Sequence, residues 1–238
     1  MAKRRGNPPR IPQLGTHGLD DALHDYATAM SPGESEALAA LRRANWTSTL
    51  APQMVSDELQ GRLLALVSRM IRPARILELG TFTGYGTACL AEGLAEGGTL
   101  DTVDREDELH ALQDVHWEAL GIRDRIRRHT GMAFEVLASG VLQAEDDRPF
   151  DLVFIDADKE NQRAYVDWAV EHVRDGGWVV VDNVLWWGDV VKVARGDSDD
   201  PRAVAIHALN EHVRAHPRLR NVLLPLRDGL QVMQVVGG

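Results

Sequence analysis

Residues 75–86 read RILELGTFTGYG, a run of strand length that breaks into glycines at 80, 84 and 86 and then enters a helix-like stretch. Apolar residues in near-unbroken succession, bounded by glycine, fit a strand buried on both faces of a sheet. Glycine at its end permits a tight turn, close approach of backbone to a ligand, and helix N–H groups aimed at that ligand. Outward from this point the same alternation repeats. Strands are expected over 75–80, 99–104, 126–129, 150–156 and 178–182, and helices over 57–71, 84–95, 106–120, 133–138 and 161–173. Strands reached through helices must run parallel. The uninterrupted apolar runs at 152–155 and 179–181 agree, so the chain reads as a doubly wound α/β fold.

The two ends depart from this rhythm. After a helix expected over 201–215, two strand-like runs at 221–225 and 230–235 flank Arg227-Asp228-Gly229, whose Asp-Gly step favours a hairpin. The sheet is thus expected to be seven-stranded, mostly parallel, with a C-terminal antiparallel hairpin. At the front, amphipathic helices over 20–30 and 34–44 are divided by Ser31-Pro32-Gly33, and Ser56 opens the helix that Pro73 stops. Three parts follow: a flexible start over 1–18, a helical addition over 19–55, and a main domain over 56–238.

Composition sets outer bounds. A 238-residue chain with 44% hydrophobic and 26% charged residues is an ordinary single-core protein. Its net charge of -10, from 26 basic and 36 acidic residues, speaks against a nucleic-acid partner held through phosphates. One cysteine excludes an internal disulfide and a thiolate zinc cluster, which suits a reducing, cytoplasmic setting. The basic start lacks the apolar stretch of a secretory signal, and no run of roughly 18 apolar residues predicts a membrane span.

The chemistry gathers at the expected carboxyl ends of the strands, where ligands bind in open α/β sheets. Glu78 precedes the glycine turn formed with Gly80, Thr83, Gly84 and Gly86. A carboxylate there repels a pyrophosphate and favours a cationic cofactor such as S-adenosylmethionine. Asp104, followed by Arg105, ends the second strand, where an acidic group can accept both hydroxyls of an adenosine ribose. Asp156-Ala157-Asp158-Lys159 and Asp182-Asn183 end the fourth and fifth strands. Two carboxylates and an amide suit Mg²⁺, Mn²⁺ or Ca²⁺ and leave coordination positions for a vicinal diol. Such an ion lowers the pKa of one hydroxyl and fixes it for attack. Lys159 is either the proton acceptor or a surface lysine paired with Asp158 or Glu160. Trp186 offers a planar wall for an aromatic substrate, while Trp187 suits packing. Cys89 reads as a buried apolar residue, and His207, His212 and His216 as solvated helix residues.

Taken together, these segments resemble the cation-dependent class I O-methyltransferases that include caffeoyl-CoA and catechol O-methyltransferases. The matching stretches are 54–56, 78–86, Asp104, 150–159, 182–188 and 224–230, which span nearly all of 45–236. The resemblance implies that Asp156, Asp182 and Asn183 bind the metal. It also implies that Met54, Ser56, Glu78, Gly80, Asp104 and Ala133 line the methyl-donor site, with Asp158 near the donor's charged end. It further implies a homodimer. Gly86 stands where the family commonly has serine, so one hydroxyl contact to the cofactor is lost or replaced by backbone. Trp187 stands where plant members carry a smaller polar residue and 190–200 departs from their substrate loop, and these two departures tell against a CoA-ester substrate. The expected activity is methyl transfer from S-adenosylmethionine to a small catechol-like diol. A nicotinamide-dependent oxidoreductase leaves the metal ligands unexplained, and a non-catalytic cofactor-binding protein has no reason to keep them.

Overall fold

A computed structural model describes residues 21–31 and 33–237 of the chain. The expected flexible start, residues 1–18, and Pro32 of the first turn lie outside the described residues. The strands are β1 (Arg75–Leu79), β2 (Thr99–Asp104), β3 (Ile126–Thr130), β4 (Phe150–Ile155), β5 (Val173–Asp182), β6 (Leu219–Leu224) and β7 (Leu230–Val235). They form one sheet in the order β3-β2-β1-β4-β5-β7-β6. β1 to β5 pair in parallel, and β7 lies antiparallel between β5 and β6. The doubly wound sheet with its reversed C-terminal strand is the architecture expected from the apolar runs. The winding direction reverses at β1 and β4, whose carboxyl ends therefore open a crevice.

Alternate residues of each strand face opposite layers, as strand geometry requires. Leu77, Leu79, Val153, Ile155, Val179 and Val181 pack with α6 (Ala133–Ser139), α8 (Gln162–His172) and α10 (Pro201–Ala215). Ile76, Leu152, Phe154 and Val180 pack with α3 (Glu58–Ile71), α4 (Tyr85–Ala91) and α5 (His110–Ala119). The N-terminal addition joins this second layer: α1 (Asp21–Met30) touches α3, and α2 (Glu36–Ser48) buries Leu38 and Leu41 beside Leu64, Tyr85 and Trp117. No described helix is long and apolar enough to cross a membrane.

Several boundaries differ from expectation, each for a local reason. Asp57, not Ser56, caps α3, accepting from the Gln60 backbone N–H at 2.8 Å. Ser35 caps α2, so that helix starts later than expected and Glu34 stays outside it, where it accepts from Arg42 and Tyr85. β5 begins at Val173, earlier than expected, because the turn-like Arg174 and Asp175 belong to the strand and Arg174 pairs with Asp151. α7 (Val141–Glu145) and α9 (Asp189–Arg195) have too few turns to show an amphipathic period, and neither was expected.

Candidate active site

The turn after β1 is held by the protein itself. Gly80 has φ 100°, and a side chain there would overlap the Asp156 carbonyl at the end of β4. Gly84 has φ 82°, and a Cβ there would lie 2.5 Å from the Trp117 ring. Packing alone therefore demands glycine at both positions, whatever the turn also holds. Asp104 Oδ2 accepts from the backbone N–H of Thr81 at 3.0 Å and of Phe82 at 2.7 Å, clamping the turn from β2. The Thr83 hydroxyl is buried without a hydrogen-bond partner among the described residues, so the turn keeps one polar atom for a ligand.

Glu78 is 1% exposed and accepts from the hydroxyls of Thr102, at 2.6 Å, and Thr87. Burial pushes its carboxyl up to about 8, against the downward pull of those two bonds, and the charges of Asp156 and Asp104 add to the rise. A positively charged ligand nearby would relieve that penalty. Gly86 sits against this carboxylate, its absent Cβ 3.0 Å from Glu78 Oε1.

At the ends of β4 and β5, Asp156 is partly exposed and accepts from Lys159 Nζ at 2.9 Å. The lysine's partner is therefore Asp156, not Asp158 or Glu160. Asp182 is 2% exposed; burial first, and then the charge of Asp156, push its carboxyl up to about 6. Gln60 Nε2 donates to its Oδ2 at 2.7 Å and the Asn183 backbone N–H to its Oδ1 at 2.7 Å. The Asp156 charge beside Asp182, with Asn183 next in the chain at φ 60°, brings residues with hard oxygen donors to adjacent strand ends. The set fits Mg²⁺, Mn²⁺ or Ca²⁺. Asp158 is bound by the Tyr165 hydroxyl at 2.6 Å and by the Asn161 amide.

The loop after Asn183 is strained and clamped. Trp186 and Trp187 have φ 47° and 55°, unusual for large side chains. Asp228, in the turn between β6 and β7, accepts from the Trp187 N–H at 2.6 Å, and its carbonyl accepts from Leu185 N–H at 2.8 Å. The Arg202 guanidinium lies 6.0 Å from the centre of the Trp186 ring.

Of the remaining candidates, Ser56 and Ala133 are buried, and Ala133 opens α6. Met54 is exposed, in a short turn before α3. Arg105 points outward and pairs with Glu106 at 3.2 Å. Cys89 is buried and its thiol is pushed up to about 12, which removes it from nucleophilic chemistry. His212 is not merely solvated: its Nε2 lies 2.6 Å from Asp167. A cavity of about 500 Å³ between α2, α3 and α4 shares no lining residue with the sheet edge. Gln60, Arg227 and Asp228 surround the site without having been singled out for it. The one signal for Gln60 was an amide on the apolar side of a helix.

Comparison with known proteins follows the same line. A family model described as O-methyltransferase matches residues 28–236. The catechol O-methyltransferase of Mycobacterium tuberculosis is 36% identical over 190 residues, covering 79% of this chain and 80% of that protein. The O-methyltransferase from Bacillus cereus, solved in complex with SAH, has a TM-score of 0.80 at 31% identity, covering 91% of this chain and 97% of that one. The O-methyltransferase TomG from Streptomyces achromogenes, involved in tomaymycin synthesis and solved with SAM, has a TM-score of 0.80 at 28% identity. That alignment covers 96% of this chain and 100% of TomG.

Proposed function

The chain belongs to the O-methyltransferase family, and from that premise we propose that it moves the methyl group of S-adenosylmethionine to one hydroxyl of a small catechol-like diol. Asp156, Asp182 and Asn183 would hold a divalent cation for this step. The observation that carries the reading is the buried Asp182 carboxyl set against Asp156 at adjacent strand ends, with the Asn183 amide beside it. When bound, the cation supplies a Lewis acid that lowers the pKa of a diol hydroxyl and orients both oxygens.

The chain's own groups do the rest. Glu78, buried below the turn, favours the donor's positive charge, and Thr83 offers it a free hydroxyl. Asp104 holds the turn through one oxygen and keeps lone pairs for the donor's ribose. Once the cation occupies Asp156, Lys159 leaves that carboxylate and, as the free amine, takes the hydroxyl proton. The methyl carbon then bonds to the deprotonated oxygen as the carbon–sulfur bond breaks, leaving S-adenosylhomocysteine and a protonated Lys159. Trp186 forms an aromatic wall for the planar substrate. Two copies of the chain working in a reducing cytoplasm complete the reading. It is supported by the apolar residues that α1 and α3 leave exposed and by the single buried cysteine.

Turnover on catechol is expected to fall at least about 100-fold in Asp156→Ala, Asp182→Ala or Asn183→Ala, with S-adenosylmethionine affinity little changed. Excess chelator should act in the same way, and full activity in its presence refutes the cation. A methyl-transfer assay across diols with and without Mg²⁺ makes both measurements.

A further inference from the structure

We propose that Gln60 is a positioning residue for the cation site: its side-chain amide, oriented by Arg227, fixes the Asp182 carboxylate in the pose that ligates. The inference rests on the cation reading above. Gln60 is 0% exposed in the first turn of α3, far in sequence from both partners. Its Nε2 donates to Asp182 Oδ2 at 2.7 Å and its Oε1 accepts from Arg227 Nη1 at 3.2 Å.

An amide can be turned either way round, and its neighbours decide which end faces which group. A guanidinium only donates, so Arg227 must face the oxygen. The NH₂ group is then left for Asp182, a carboxylate that only accepts. Remove Arg227 and nothing else among the described hydrogen bonds holds the Gln60 oxygen. Asp57 ties the arrangement together. Its Oδ1 accepts from the Gln60 backbone N–H at 2.8 Å, while its Oδ2 lies 3.6 Å from Arg227 Nε and 3.4 Å from His24 Nε2 of α1. One carboxylate therefore anchors both the backbone of Gln60 and the cation that orients its side chain.

The order of these groups has a chemical purpose. With Gln60 on Oδ2 and the Asn183 N–H on Oδ1, each oxygen of Asp182 is held by one neutral donor. A carboxylate has about four acceptor positions, so lone pairs remain for an ion. The buried Gln162 holds the same residue's carbonyl at 3.1 Å, fixing the backbone as well. A guanidinium bonded directly to Asp182 would compete with a divalent cation for its charge. Interposing an amide transmits the orientation while keeping Arg227 one residue away.

The test uses the full chain, freed of metal and titrated with Mn²⁺, with free Mn²⁺ read by electron paramagnetic resonance. Gln60→Met should weaken Mn²⁺ affinity by about 10- to 100-fold while donor affinity stays within threefold of wild type. Arg227→Met, in a partly exposed turn and so a milder lesion for folding, should weaken Mn²⁺ affinity as well. The double variant should bind no worse than Gln60→Met alone, because Arg227 acts through the amide. Mn²⁺ affinity in Gln60→Met within threefold of wild type overturns the proposal, as do effects that multiply in the double variant. A wild-type chain that binds no Mn²⁺ overturns the cation reading itself, and the role of Gln60 with it.

Discussion

Glu78 keeps a carboxyl beneath the turn with two threonine hydroxyls on one of its oxygens, and burial pushes it from 4.5 up to about 8. Between those values the folded protein holds a proton that the unfolded chain has released. Stability therefore falls as pH rises through that interval, and the penalty is complete above about 8. Glu78→Gln keeps the shape and removes the ionisation. Its melting temperature should exceed that of wild type at pH 8 and converge with it near pH 5, while donor affinity drops. A difference in melting temperature that does not change with pH would contradict this. Among single residues, the proposed oxygen ligands and Glu78 stand out in the sequence because acidic side chains at the ends of apolar strands are conspicuous. Gln60 was not, because its partners Asp182 and Arg227 approach it only after the sheet has formed.

At the scale of elements, the turn between β6 and β7 acts on the site through the loop that follows β5. Asp228 supplies the acceptor for the Trp187 N–H, and the adjoining backbone sits at φ values that cost about 1 to 3 kcal/mol per residue. Asp228→Ala should free the loop, raising KM for the aromatic substrate several-fold with a smaller change in kcat and only a modest loss of melting temperature. Steady-state kinetics beside thermal unfolding checks the split, and an unchanged KM would leave Asp228 a purely structural turn residue. The Asp-Gly step announced this hairpin correctly, and the strands were legible because parallel strands buried on both sides are continuously apolar. What escaped notice was short or charged: α7 and α9 lack the length to show a period, and the start of β5 carries Arg174 and Asp175. The caps of α2 and α3 fell one or more residues from the expected position because adjacent serine and acidic residues compete for the same role.

Across the molecule, the N-terminal addition contributes to the core through Leu38 and Leu41 and still leaves Leu23, Tyr26 and Met30 of α1 exposed, along with Leu66 and Met70 of α3. Exposed apolar side chains in such numbers on neighbouring helices favour burial against a second copy. Light scattering on the purified chain should give twice the monomer mass, and Leu66→Glu combined with Met70→Glu should shift it toward the monomer. A monomeric wild type would remove the dimer from the proposed function. The ion pair between Lys159 and Asp156 also bears on the whole protein. Two acidic side chains at the mouth of a sheet would strain an empty enzyme, yet here an ammonium from the same chain stands in as an internal counter-charge. On the proposed cation reading, the protein would wait, folded and idle, in surroundings poor in magnesium, and the arriving ion would release the same amine for other work.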